Sequence, residues 1–243
     1  MINLYETKSV KKFLPKKNNP SYKNTSLDLN SRILVVGASG SGKTNWLGNY
    51  LMLADGTFNH IHILYKETEP IYDAIREQMK GKGVSFYTNP NDLPSLTNMR
   101  NDSEGEQNPD DNVLLIIDDW VNEANSSLYK KTFSDIFIRG RKFVTTIFIS
   151  QQYFTVPKLM RSQCTYIILI KISSNKDLKL ILSDYTLSIE PAELLKYFEK
   201  ATEKKFDFFK LDIHSADANR KYSHNWKGFF QVEDKKEPEK TKT

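Results

Sequence analysis

Short apolar runs alternate with longer, partly polar segments along residues 31–213. The continuous apolar runs at 31–36 and 113–117 are typical of strands buried on both faces of a parallel sheet. Residues 59–65 alternate around two histidines, which predicts a further strand. The remaining predicted strands are, in chain order, 84–87, 143–149, 165–172 and 206–213.

The segments between these runs predict helices. Their positions are 43–53, 70–80, 128–139, 177–183 and 192–200. Strands that alternate with helices indicate βαβ units. The fold class is therefore α/β, with a mostly parallel sheet flanked by helices in a single domain.

Composition divides the chain into three parts. Residues 1–30 form a basic N-terminal arm, 31–213 the core, and 214–243 a C-terminal extension with a mixed-charge tail. Within the core, residues 95–112 are polar, acidic and interrupted by proline and glycine, which indicates an exposed loop. The lysines of the arm, namely Lys11, Lys12, Lys16 and Lys17, are either phosphate contacts or ordinary solvated charges.

Cysteine, charge and hydropathy limit the classes of function. With Cys164 as the only cysteine among 243 residues, no internal disulfide forms, which fits a reducing compartment. The net charge of +5 favours a polyanionic partner. No run approaches the about 18 apolar residues of a membrane span, so we expect a soluble protein. Lysines interrupt every apolar run of the first twenty residues, so we expect no secretory signal.

One motif carries a specific chemistry. The sequence GASGSGKT follows the first predicted strand directly and precedes a predicted helix. Its glycines allow the backbone N–H groups to wrap around phosphate oxygens, and the helix N-terminus adds a favourable dipole. This context predicts a phosphate-binding loop in which the lysine contacts the terminal phosphates and the threonine ligates Mg²⁺. The predicted nucleotide-binding residues are Gly37, Ala38, Ser39, Gly40, Ser41, Gly42, Lys43 and Thr44.

A pair of acids ends the strand at 113–117. Asp118 is placed to hold Mg²⁺ together with Thr44. Asp119 occupies the position where many ATPases have a glutamate that activates the attacking water. Aspartate is one methylene shorter than glutamate, so that water must lie closer to the strand. The alternative is that the two acids only form a turn.

A third polar position follows the strand at 143–149. Gln151 is the candidate sensor of the γ-phosphate, the alternative being an ordinary polar residue at a strand end. A guanine-specific site is disfavoured, because Asn175-Lys176-Asp177 lacks the spacing of the NKxD motif and no DxxG follows Asp118. ATP is therefore the predicted nucleotide.

Arginines flank the same strand. Arg139 and Arg141 precede it, and Arg161 follows it. An arginine supplied by a neighbouring subunit can complete an ATPase site, so each is a catalytic candidate, although most arginines are simply surface charges.

The order of these motifs resembles a known family. The phosphate loop, VLLIIDDW, RGRKFVTTIFISQQ and PKLMRSQCTYIILIKISSNKDLKLIL occur in the order found in the FtsK–HerA superfamily of DNA-pumping ATPases. The compact size and the DDW are similar to its branch of poxvirus-type genome-packaging ATPases of large DNA viruses and virophages. The resemblance spans residues 31–213, with Asp119 and the acidic loop as departures.

This resemblance implies a P-loop fold with an extra strand between the strands of the phosphate loop and the acid pair. It also implies a homo-oligomeric ring of five or six subunits around double-stranded DNA, with ATP bound between subunits. Arg141 is the first candidate for the arginine that reaches across, ahead of Arg139 and Arg161, and Gln151 matches the glutamine of the sensing strand. Capsid or portal-like vertex proteins as partners, and the virion and host cytoplasm as locations, follow from the same resemblance.

Three functions remain open at this point. The first is a viral packaging motor, with Lys158 and Arg161 among its candidate DNA contacts. The second is a cellular or plasmid translocase or helicase, which the small size disfavours. The third is an assembly protein in which ATP switches partners without translocation.

Overall fold

The computed structural model describes residues 7–11, 19–79, 83–101, 105, 108, 110–120, 126, 129–142, 144–185 and 189–232. Its strands are β1 (Arg32–Val36), β2 (His60–Tyr65), β3 (Val84–Tyr87), β4 (Val113–Asp118), β5 (Val144–Ser150), β6 (Tyr166–Leu169), β7 (Phe209–Asp212), β8 (Tyr222–His224) and β9 (Gly228–Phe229). Its α-helices are α1 (Lys8–Lys11), α2 (Tyr22–Thr25), α3 (Lys43–Leu53), α4 (Pro70–Gln78), α5 (Lys130–Arg139), α6 (Lys158–Ser162), α7 (Asn175–Ser183), α8 (Pro191–Ala201) and α9 (Ala218–Lys221). Short 3-10 helices occur at Pro90–Asp92, Asn98–Arg100 and Gly140–Lys142.

All of these strands belong to one sheet, in the order β3-β2-β4-β5-β1-β6-β7-β8-β9. The strands from β3 to β6 in this order pair in parallel, and β7, β8 and β9 continue the sheet antiparallel. The mostly parallel α/β fold is thereby confirmed. Because β5 lies between β1 and β4, the extra strand implied by the family resemblance is also present.

Alternating side chains of the central strands build two separate cores. On β4, Leu114 and Ile116 face one side of the sheet, while Leu115 and Ile117 face the other, and all four are fully buried. This alternation follows from the two-residue period of a strand. It explains why the sequence is apolar at every position of β4 before Asp118, as expected of a strand covered on both faces.

Helices cover the two faces unequally. Trp46 and Tyr50 of α3 and Tyr72 of α4 pack on the first face. The second face carries α5, α6, α7 and α8, with Phe133 and Phe198 among the buried residues. The phosphate loop therefore leads from the middle of the sheet into a helix that is anchored by stacked aromatic rings, the Trp46 and Tyr50 centroids being 5.6 Å apart.

Several element boundaries differ from the sequence prediction. The helix predicted at 177–183 begins at Asn175, because the Ser174 side chain accepts a hydrogen bond from Asp177 N (3.1 Å) and caps it. The strand predicted at 206–213 begins only at Phe209. Phe206 has a φ of +74°, a left-handed conformation incompatible with a strand. Phe143, the predicted start of another strand, lies outside the described residues.

Residues on both sides of the predicted core also join the folded unit. Leu27 is fully buried, and Tyr166 of β6 donates a hydrogen bond from its hydroxyl to Asp28 Oδ2 (2.9 Å). Beyond residue 213, strands β8 and β9 lengthen the sheet through pairing with β7. Among the described residues, no helix is long and apolar enough to cross a membrane.

Lys210 links the N-terminal segment to the sheet from a buried position. Only 1% of its surface is exposed, and its Nζ donates a hydrogen bond to Ser26 O (3.2 Å). Desolvation lowers the pKa of Lys210 to about 8, although the carboxylates of Asp212 and Asp28 oppose this shift. A lysine that is harder to protonate in the folded state than in the unfolded state makes stability depend on pH.

This environment predicts the direction of that dependence. Between pH 8 and pH 10.5 the unfolded chain binds more protons at Lys210 than the folded protein, so the lysine's contribution to the free energy of unfolding rises with pH. We expect the wild type to gain about 3 kcal/mol relative to Lys210→Met across this window in urea titrations. A difference between the two proteins that does not change with pH would contradict the prediction.

Candidate active site

The phosphate loop is anchored to both strands that flank β1. Gly37 N donates a hydrogen bond to Ser150 O at the end of β5 (3.2 Å), and Ala38 N donates to Lys171 O after β6 (2.9 Å). These bonds continue the ladder of β1 for two residues beyond Val36. The start of the loop is therefore fixed by the sheet itself.

The end of the loop is shaped by a glycine. Gly42 has a φ of +104° and serves as the N-cap of α3, its carbonyl accepting a hydrogen bond from Trp46 N (2.8 Å). No side chain caps this helix end, so its first N–H groups are available to an anion. The Phe206 ring lies so close to Gly42 that a Cβ there would be 2.5 Å from Phe206 Cδ1.

Lys43 extends across the loop. Its Nζ donates hydrogen bonds to the carbonyl oxygens of Gly37 (2.9 Å) and Ala38 (3.0 Å). Desolvation lowers the pKa of Lys43, while the carboxylates of Asp118, Asp119 and Glu69 oppose the shift. The ammonium group is thus surrounded by loop carbonyls on one side and acidic side chains on the other.

The acid pair lies at the end of β4. Asp118 is the last residue of the strand, and Asp119 turns the chain with a φ of +59°. Burial raises the pKa of Asp118 to about 6, against the effect of a hydrogen bond that the Tyr72 hydroxyl donates to its Oδ2. Tyr72 is fully buried and reaches this carboxylate from the first turn of α4.

Gln151 follows β5 in a turn that a serine organises. Ser150 Oγ accepts a hydrogen bond from Gln152 N (3.2 Å) and donates one to Gln152 O (2.8 Å). Gln151 is exposed at this turn, between the phosphate loop and the end of β4. The serine therefore holds the backbone from which the glutamine projects.

A cavity of about 370 Å³ unites these elements. Its lining includes, among the predicted site residues, Ser39, Gly40, Gly42, Lys43, Thr44, Asp118, Asp119 and Gln151. Ala38 instead lines a neighbouring cavity of about 550 Å³, which shares Ser39 and Gln151 with the first. Gly37 and Ser41 belong to neither lining. Ser41 is buried, and its Oγ would be 2.5 Å from a Cβ at position 37.

The wall opposite the phosphate loop was not anticipated from the sequence. It is formed by the segment after β2, with Lys66, Glu67 and Glu69 lining the same cavity. Tyr65, the last residue of β2, pairs with Asp118, so this segment must emerge beside the acid pair. The sequence did carry a signal for this wall. Polar residues that follow a predicted parallel strand emerge at the end of the sheet where the neighbouring parallel strands also end.

The three candidate arginines lie apart from this cavity. Arg139 and Arg141 precede β5 and are exposed, with Arg139 Nε lying 3.6 Å from Asp135 Oδ1. Strand β5 extends from Val144 to Ser150, so both arginines lie at the end of the sheet where β5 begins. At the usual rise per residue this is about 20 Å from Gln151, which follows the other end of β5. Neither reaches the cavity of its own subunit.

Arg161 is held within its own chain. Its Nε donates a hydrogen bond to Val156 O (3.1 Å), and its guanidinium lies 4.6 Å from the centre of the Tyr153 ring. Asp184 Oδ2 is 3.7 Å from its NH1 nitrogen. Of the other predicted DNA contacts, Lys158 is exposed, whereas Lys12, Lys16, Lys17 and the side chain of Lys11 lie outside the described residues.

A comparison with models of known protein families shows to which family the chain belongs. The family model described as "Poxvirus A32 protein" matches residues 21–208, which is most of the chain. The chain belongs to the poxvirus A32 protein family. This match confirms the family resemblance that the motifs indicated, while a search among curated proteins gave no match.

Solved structures of viral and bacterial proteins share the fold of this poxvirus A32 family member. The genome packaging NTPase B204 from Sulfolobus turreted icosahedral virus 2, in complex with AMP, has a TM-score of 0.56 at 17% identity, covering 80% of this chain and 96% of that chain. B204, the DNA-packaging ATPase from Sulfolobus turreted icosahedral virus, gives 0.55 at 18%, covering 79% and 96%. The cytoplasmic domain of the type VII secretion ATPase EccC from Thermomonospora curvata gives 0.52 at 15%, covering 76% of this chain and 24% of that one.

The two left-handed glycines of the loop offer a test of this geometry. Gly40 (φ +69°) has open space around its Cβ position, whereas Gly42 faces Phe206. We expect Gly40→Ala to lower the free energy of unfolding by about 1–2 kcal/mol, from backbone strain alone. Gly42→Ala should cost at least about 1 kcal/mol more in the same denaturant titration, because a clash adds to the strain.

A double-mutant cycle identifies the cause. In a Phe206→Ala background the cost of Gly42→Ala should fall towards that of Gly40→Ala. If both alanine substitutions lower the free energy of unfolding equally in the wild-type background, the Phe206 ring does not clash with a Cβ at position 42.

Proposed function

We propose that this protein is the ATPase subunit of a motor that moves double-stranded viral DNA into a preformed capsid. The observation that carries the proposal is the cavity that Lys43, Thr44, Asp118 and Asp119 line together, in a member of the poxvirus A32 family. The similar folds include proteins described as a genome packaging NTPase and a DNA-packaging ATPase. The division into an arm at 1–30, a core at 31–213 and an extension at 214–243 stays a prediction, although Leu27 and strands β8 and β9 pack with the core.

The loop and its lysine would bind the nucleotide. The N–H groups of the loop and the start of α3 contact phosphate oxygens, and Lys43 exchanges its bonds to Gly37 and Ala38 for the β- and γ-phosphates. Binding in this way replaces carbonyl partners with anionic ones, which offsets the desolvation of the ammonium group.

Mg²⁺ fits the same cavity. Thr44 and Asp118 both line it and offer the hydroxyl and carboxylate oxygens that this ion prefers. When bound, the ion neutralises charge that develops on the phosphates. Tyr72 orients the Asp118 carboxylate through its hydrogen bond, and Gln151, which also lines the cavity, would contact the γ-phosphate.

The arginine role requires more than one subunit. Arg141 and Arg139 are exposed before the start of β5, at the end of the sheet away from the cavity. Exposed side chains in this position would be free to enter the site of a neighbouring subunit. Arg141 ranks first by its place in the sequence, and Arg161 last, because it would have to leave Val156 and Tyr153. A ring of five or six subunits around the duplex would place one arginine at each site.

The remaining elements of the proposal concern partners and location. A net charge of +5 suits repeated, sequence-independent contact with DNA phosphates, for which Lys158 is an exposed candidate. Capsid or portal-like vertex proteins would hold the ring, in the host cytoplasm and in the virion.

The first test measures ATP hydrolysis by the purified protein with and without duplex DNA. We expect Mg²⁺-dependent turnover that duplex DNA stimulates, and a loss of at least about 100-fold in Lys43→Ala, which should retain the wild-type circular dichroism spectrum. Normal turnover in Lys43→Ala would refute the site. Strand unwinding would indicate a helicase, and turnover indifferent to DNA would favour an assembly switch.

The second test asks whether Arg141 acts on a neighbouring subunit. Arg141→Ala and Lys43→Ala should each be inactive alone, because each lacks one half of every site. Mixing them should restore part of the activity, since an intact phosphate loop from one subunit then meets an intact arginine from the other. A mixture of Arg141→Ala with the double variant is the matched control, and recovery no greater than in that control would contradict the cross-subunit role.

A further inference from the structure

The segment after β2 places a glutamate opposite the phosphate loop. Glu69 lines the cavity that Lys43, Thr44, Asp118 and Gln151 share. It is exposed and occupies the N-cap position of α4, with φ −116° and ψ 151°, yet its side chain does not cap the helix. Its carboxylate is therefore not used to cap its own helix.

Two contacts fix the backbone of Glu69. Pro70 begins α4, and Tyr72 N donates a hydrogen bond to Glu69 O (2.9 Å). Tyr72 in turn donates its hydroxyl proton to Asp118, which ties the first turn of the helix to the end of β4. Glu69 consequently starts from a rigid position beside the acid pair, as a precisely placed catalytic group requires.

Glu69 shares its cavity with Lys43 and with both members of the acid pair. The carboxylate of Glu69 raises the pKa of Asp118 more than that of Asp119 does, although Asp119 is the next residue in the chain. Glu69 and Asp119 therefore both add negative charge around Asp118. Both carboxylates also raise the pKa of Lys43, that of Asp119 more strongly than that of Glu69.

We propose that Glu69, rather than Asp119, is the carboxylate that accepts the proton of the attacking water. The proposal rests on the ATPase function and deepens it. Water must approach the γ-phosphate from the side away from the leaving β-phosphate, which is the side of the wall opposite the loop. Glu69 lies on that wall and carries one methylene more than Asp119, whose backbone turns away from β4 with a φ of +59°.

The step balances without a further reactant. The water oxygen forms a bond to the γ-phosphorus while the bond from that phosphorus to the bridging oxygen of the β-phosphate breaks. The proton leaves the water for a Glu69 carboxylate oxygen, and ADP departs with the electrons of the broken bond. Glu69 then releases the proton to solvent, to which it is exposed.

The test separates hydrolysis from binding. Glu69→Gln should lower the single-turnover hydrolysis rate by at least about 100-fold, as expected for loss of a general base. Its dissociation constant for ATP, measured with Mg²⁺ by fluorescence of a labelled nucleotide, should stay within about threefold of wild type, because glutamine keeps the size of the side chain. Glu77→Gln, the same change at an exposed position of α4, is the matched control and should leave both quantities unchanged.

Three outcomes would overturn the assignment. A Glu69→Gln rate near wild type, with Asp119→Asn or Glu67→Gln inactive, would place the base at one of those positions. A loss of nucleotide affinity only when Mg²⁺ is present would make Glu69 a metal ligand. If the wild type hydrolyses no ATP, the ATPase proposal itself fails and this inference falls with it. If instead the wild type and Glu69→Gln are both active while Lys43→Ala is inactive, only this inference is refuted.

Discussion

Parallel pairing of β1, β5 and β4 is the constraint on which the site depends. Val36 pairs with Ser150, and Ile149 pairs with Asp118, so the three strands end at nearly the same level. Backbone hydrogen bonds therefore set the spacing between the phosphate loop, Gln151 and the acid pair. No side-chain contact among these groups has to hold them together, which leaves the side chains available for a ligand.

The same sheet gives the site its electrostatics. The apolar strands reduce solvation at their ends, which raises the pKa of Asp118 and lowers that of Lys43. Both charged forms are thus disfavoured by burial and favoured by each other. A ligand that brings phosphate to the lysine and a cation to the aspartate improves both, whereas either charge alone does not. This mutual dependence favours nucleotide and metal binding together.

Local signals were sufficient for much of the fold. The helix at Lys43–Leu53 and the strand at Val84–Tyr87 were predicted with the bounds that the structure shows, because glycines and turn residues delimit them. Strands β8 and β9 were missed, since three- and two-residue strands carry no periodicity and exist through pairing with β7. The late start of β7 depends on the left-handed Phe206, which packs against Gly42 from a distant part of the chain.

The site was predictable where its residues are contiguous in sequence and not where they meet through register. Lys43, Thr44 and Asp118 follow from short motifs, whereas Tyr72 and Glu69 reach the site only because Tyr65 pairs with Asp118. Of these two, Glu69 lines the cavity, whereas Tyr72 contacts Asp118 from outside the lining. In the mechanism proposed above, Glu69 would select the water that attacks the γ-phosphate. The short motifs thus indicate a nucleotide site, while in the proposed mechanism the less recognisable segment after β2 governs hydrolysis. In that mechanism, variation of the segment would alter hydrolysis without changing nucleotide binding.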